Sequence, residues 1–198
     1  MRALSLKILP LCLLLALLFP LGAFAASGSG DFLTPAQFEL FNKANELFEK
    51  EDYRGIVALL HDQVEQNDKP HPYGCIMYGV AYLRLDNAKK AKEVFSKGLK
   101  NSPDYAALHL NLGVAHLQAE EYEPAGDCFI KAASLEPQSS SAPLYTYSAA
   151  QCYYFARKYP KSLETVKKVL AHSSVKPDWV NLAAVNCMQL NKWSEAEQ

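Results

Sequence analysis

Residues 78–103, YGVAYLRLDNAKKAKEVFSKGLKNSP, and residues 112–137, LGVAHLQAEEYEPAGDCFIKAASLEP, carry one pattern written twice. Gly79, Tyr82, Ala91, Phe95 and Pro103 are followed, each 34 residues later, by Gly113, His116, Ala125, Phe129 and Pro137. A constant period of this length marks a repeat architecture, in which one supersecondary unit recurs and stacks on its neighbours.

The offsets state what the unit is. Two antiparallel helices joined by a short turn approach closely only where their side chains are small. Gly79 with Ala91, and Gly113 with Ala125, set one small residue on each facing helix. Tyr82 with Phe95, and Leu112 and Leu117 with Phe129, then fill the space on either side. Pro103 and Pro137 end the second helix, because proline lacks the N–H and clashes with the preceding turn. A single helix pair cannot bury its own apolar face, so pairs must stack into a solenoid.

With glycine, aromatic, alanine, phenylalanine and proline at these places, the chain resembles the tetratricopeptide-repeat family. The expected fold is all-α, a right-handed superhelical solenoid of antiparallel helix pairs. The expected units are a degenerate first repeat at 37–71, then 72–105, 106–139 and 143–176, and a partial fifth at 177–198. The serines at 139–141 add about three residues before the fourth repeat. In the fifth, Ala184 and Ala196 restore the period from Ala150 and Ser162. It reaches Gln198 barely inside its second helix, which is the expectation for a fragment of a longer chain or for an end covered by a partner or second copy.

Composition is that of an ordinary globular protein, 49% apolar and 21% charged with a net charge of −1, and gives no bias toward nucleic acid. The start differs. Arg2 and Lys7 precede an apolar run over 8–21, and Ala23-Phe24-Ala25 supplies a small-x-small site. This reads as a secretory signal peptide over 1–25, too short for a membrane span. Residues 26–35 then read as a flexible linker before a repeat domain at 36–198, with Thr34 as N-cap and Pro35 at the first helical position. Taking Arg2 and Lys7 from the 20 basic residues leaves 18 against 21 acidic ones, a charge near −3. The expected location is outside the cytoplasm, in the periplasm or secreted.

Patterns for chemistry are sparse. Cys75, Cys128, Cys152 and Cys187 follow the leader, and Cys152 and Cys187 lie 35 apart on first helices of neighbouring repeats. Helix axes about 8–10 Å apart against a Cα separation of about 7 Å leave a bridge open as well as two buried thiols. His109 and His116 are two turns apart, about 10.5 Å, too far for one zinc ion with bonds of about 2 Å. With no Gly-x-Ser-x-Gly, no His-Glu-x-x-His and no phosphate-cradling loop, no catalytic residue, metal or cofactor is expected.

The resemblance implies a binding surface. In this family the first helix of each pair lines a concave groove, which carries over here to Phe38, Phe41, Asn45 and Phe48, then Tyr73, Ile76, Val80, Leu83 and Arg84. Repeat three contributes Leu110, Val114, Leu117 and Gln118, and repeat four Leu144, Tyr147, Gln151, Tyr154 and Phe155. Family members that adapt heat-shock chaperones clamp a C-terminal carboxylate with lysine, asparagine and arginine. Here Ile76, Val80, Leu110 and Val114 stand where such donors would be. The expected ligand is therefore a protein or peptide with large apolar side chains. A holder of exported clients and a structural oligomer remain as alternatives to a scaffold for one partner.

Overall fold

The computed structural model describes residues 33–171 and 175–191. The signal peptide, the start of the linker and Ala196 of the fifth repeat lie outside the described residues. Among those described there are nine helices and no strand. They run in pairs: α1 (Pro35–Glu49) with α2 (Tyr53–Val64), α3 (Pro72–Arg84) with α4 (Ala88–Asn101), and α5 (Ala106–Gln118) with α6 (Tyr122–Leu135). The fourth pair is α7 (Ala142–Phe155) with α8 (Tyr159–Leu170), and α9 (Pro177–Gln189) opens a fifth. Each helix packs on the next in the chain, and first helices also touch across repeats, α3 on α5 and α7 on α9. The fold is an all-α solenoid. No helix among the described residues is long and apolar enough to cross a membrane.

Local chemistry sets the helix starts. Thr34 and Gln37 form a reciprocal capping box, the Gln37 N–H donating to Thr34 Oγ1 at 3.2 Å and the Thr34 N–H to Gln37 Oε1 at 2.9 Å. Pro35 is the first residue of α1, as its place after the Thr34 cap predicts, so the expected linker over 26–35 ends one residue earlier. Asp52 and Asn87 cap α2 and α4 by accepting from Gly55 N and Lys90 N at 2.8 and 3.0 Å.

The turn inside each pair is the most regular feature of the molecule. Glu51, Asp86, Glu120, Arg157 and Asn191 all have φ between 56° and 60°. In the second pair the Asn87 N–H donates to Tyr82 O at 2.9 Å and the Asp86 N–H to Leu83 O at 3.1 Å. These are the two bonds of a Schellman end, which satisfies carbonyls that the finished helix leaves open. The same pair of bonds recurs at Glu120–Glu121 and at Arg157–Lys158. The interval from Glu120 to Arg157 is the long one, and it absorbs the serine-rich connection between the third and fourth pairs.

Packing divides the two helix types. The second helices are amphipathic: α4 buries Ala91, Val94, Phe95 and Gly98 and leaves its other faces to lysine and glutamate. The first helices are enclosed on most sides, α3 burying Gly74 through Gly79 with Pro72 and Ala81. Phe95 is fully buried, and its ring occupies the place a side chain at Gly79 would take. Gly113 and Phe129 repeat this, with 2.8 Å between the ring and where a Cβ would stand. The glycine thus makes room for the phenylalanine of its own repeat. Tyr82 turns elsewhere, its hydroxyl 3.2 Å from that of Tyr78, which in turn meets His61 Nδ1 on α2 at 3.2 Å. In the first pair Ile56 takes the alanine position and is fully buried.

Outer faces of successive repeats are stitched by polar contacts. Lys97 donates to Val64 O and Glu65 O at 2.7 and 2.9 Å, so α4 caps the end of α2. Lys161 bonds Asp127 at 2.8 Å, and the same carboxylate accepts from the Tyr153 hydroxyl at 2.8 Å.

Candidate functional site

The face that the resemblance assigns to the groove, called the inner face below, is drawn from α1, α3, α5 and α7. Its exposed members are Phe38, 58% accessible, and Arg84. Asn45, Phe48, Tyr73, Val80, Leu83, Leu110, Val114, Leu117, Gln118, Leu144, Tyr154 and Phe155 are half-buried, each presenting part of its side chain.

Four residues assigned to the groove from the sequence are packed away. Phe41 is buried, its ring edge-on to Tyr73 at 5.2 Å and against the backbone at Gly74. Ile76 belongs to the core cluster shared by the first three repeats. Tyr147 lies 6.1 Å from the Trp179 ring of α9, and its hydroxyl donates to Asp178 O at 3.3 Å. Gln151 is buried beside it, its amide donating to the Tyr147 hydroxyl at 3.2 Å. Phe41 and Tyr147 share a cause. The first helices wind against their neighbours, so the side chains at their flanks become interface between repeats.

The remaining polar members have partners along the same surface. The Tyr73 hydroxyl donates to Asn45 Oδ1 at 3.4 Å, and Gln118 donates to Leu83 O at 3.2 Å and to Asp86 Oδ1 at 2.7 Å. The Arg84 guanidinium stands 5.8 Å from the Tyr53 ring centre. Polar groups here tie one repeat to the next, and the surface left over is apolar and aromatic.

Sequence reasoning missed the aromatic edge. Tyr53, Tyr122 and Tyr159 each open a second helix, immediately after the left-handed turn. Tyr122 lies 5.5 Å from Phe155, Tyr159 lies 5.5 Å from Tyr154, and Tyr154 and Phe155 are 5.9 Å apart. The signal was available as an aromatic recurring at the same place in three repeats.

Chemical groups are held away from reactivity. Burial pushes the Cys75 thiol up to about 12 and the Cys128 thiol up to about 11. Cys152 and Cys187 are buried in different apolar clusters, the former with Phe129 and Tyr153, the latter with Leu163 and Trp179. His109 Nε2 meets Pro103 O at 2.7 Å, and His116 pairs with Glu121 of its own turn. Among the described residues no three His, Cys, Asp or Glu side chains gather as a metal would need.

The tetratricopeptide repeat profile matches residues 73–105 and 106–139, the second and third helix pairs. A curated relative, tetratricopeptide repeat protein 21B of Xenopus laevis, is 23% identical over 126 residues, which is 64% of this chain and 9% of that protein's length. Solved structures of MamA share the fold. MamA from Desulfovibrio magneticus RS-1 superposes with a TM-score of 0.66 at 14% identity, over 84% of this chain and 92% of that one. MamA of AMB-1 gives 0.64 at 17% identity, over 81% and 92%. Paired helices, the recurring glycine–phenylalanine contact and these matches lead to one conclusion: residues 73–139 are two tetratricopeptide repeats, set in a solenoid of the tetratricopeptide fold.

Proposed function

We propose that this chain is a non-enzymatic scaffold of the cell envelope that holds a partner polypeptide against the inner face of its first helices. The observation that carries the proposal is the character of that face. Val80, Leu83, Leu110, Val114, Leu117, Tyr154 and Phe155 are half-buried apolar side chains drawn from three successive repeats, and Arg84 is the one Lys, Arg, Asp or Glu on α3, α5 and α7. Half-exposed aromatic and aliphatic groups on a rigid frame are the kind of anchor that large side chains of a partner bury. An amphipathic helix or an extended segment suits such a surface, in the helix-in-groove manner. The location rests on the leader-like sequence of residues 1–25.

Affinity capture from the native envelope tests this, using the chain from Ala26 beside a variant carrying Leu83→Glu and Tyr154→Glu. One partner retained by the parent and lost by the variant supports the proposal. The same proteins recovered with both would place the binding surface elsewhere.

A further inference from the structure

A second surface of different chemistry lies on the outer side of the repeats. A cavity of about 740 Å³ opens across α4, lined by its Lys89, Lys92, Lys97 and Lys100 and by Leu112 and His116 of α5. Its floor follows from the repeat register. Tyr78 of the second repeat extends to His61 on α2, whereas its counterpart 34 residues on, Leu112, is shorter and stops at the cavity. His116 replaces Tyr82 and turns toward Glu121.

The charge around this opening is unbalanced. Lys92 is tied to Glu121 Oε1 at 2.6 Å and Lys97 to the carbonyls that end α2. Lys89 and Lys100 make no ion pair or hydrogen bond among the described residues. The lining itself sets four lysines against Asp68 and Glu93, and Glu93 lies 3.5 Å from Lys90, whose shorter pair, at 2.8 Å, is with Glu65. The lysines stand in line along one helix and do not converge on a point, so a single small anion is poorly served. From Lys89 to Lys100 is about 16 Å at about 1.5 Å per residue, the reach of roughly five residues of extended chain at about 3.3 Å each.

We propose that this groove is a second docking site, which takes an acidic segment of a partner polypeptide laid along α4 with one apolar side chain over Leu112. Charge complementarity selects the segment and the Leu112 floor fixes its register. The site is separate from the inner face and does not depend on what that face holds.

Fluorescence anisotropy with the labelled peptide Glu-Asp-Leu-Glu-Asp tests it, beside the peptide with glycine for leucine and the peptide Lys-Lys-Leu-Lys-Lys. The acidic leucine peptide is expected to bind saturably and to weaken with salt, and the basic peptide not to bind. The Lys89→Glu, Lys100→Glu double variant should bind roughly tenfold more weakly, with its helical circular dichroism unchanged. Leu112→Ala should remove the preference for leucine over glycine, and Leu83→Glu with Tyr154→Glu should leave binding intact. Absence of saturable binding, equal binding by the lysine variant, or equal affinity for the leucine and glycine peptides with full competition by tripolyphosphate would overturn the proposal.

Discussion

Gly79 lies against the ring of Phe95 so closely that no side chain fits between them, and 34 residues on Gly113 stands in the same relation to Phe129. Gly79→Ala is expected to destabilise the protein by about 1–3 kcal/mol through overpacking, although alanine in a helix interior is itself favoured by about 1 kcal/mol. Gly113→Ala should cost less, because the overlap there is smaller. Urea denaturation measures both, and the penalty at Gly79 should shrink in a Phe95→Leu background if the ring is its source.

The left-handed residues offer the opposite sign. Glu120 and Arg157 hold φ of 58° and 60°, where a Cβ is strained. Glycine at either place relieves that strain, so Glu120→Gly and Arg157→Gly should each stabilise by about 0.5–1 kcal/mol. Glu120→Val, with a branched side chain in the same conformation, should destabilise. Thermal melting of the three variants decides it.

Stability should fall on both sides of neutrality. Burial raises the Cys75 and Cys128 thiols to about 12 and about 11 from an ordinary value of 9.0. Their contribution is therefore complete below about pH 9 and lost as the pH rises through the folded values. On the acid side, bonds from Lys92 and then His116 hold Glu121 below the usual carboxylate range. Burial pushes Asp127 up, but the bonds from Lys161 and Tyr153 outweigh it and leave that carboxyl lowered as well. Both contributions are present above the ordinary carboxylate values and disappear as pH falls. The urea midpoint should show a plateau near neutrality, and Asp127→Asn should flatten its acid limb.

The raised thiols also predict slow chemistry. Thiolate is the reacting form, so Cys75 in the folded chain should resist a disulfide reagent at pH 8 and react on addition of urea. Rapid native labelling of Cys75 would show that α3 opens readily.

The 34-residue register carried most of the fold, because Gly79, Phe95, Pro103 and their counterparts answer to packing inside one repeat. Thr34 as the cap of the first helix was legible for the same reason, being a local bond. What escaped the sequence is contact between repeats. Tyr147 is covered by Trp179, 32 residues away, and Phe41 by Tyr73, the same number away, so no local spacing announces either. The left-handed turns were equally silent, since glutamate, aspartate, arginine and asparagine hold them where glycine would have advertised the geometry.

The most direct test of the scaffold reading is site-specific photo-crosslinking in the native envelope. A photoreactive residue at Val114 would probe the inner face, and one at Ser134 would probe the outer helix of the same repeat. The account predicts a discrete adduct from Val114 that disappears when Leu83→Glu is added, and none from Ser134. No adduct from Val114, with a specific one from Ser134, would contradict it.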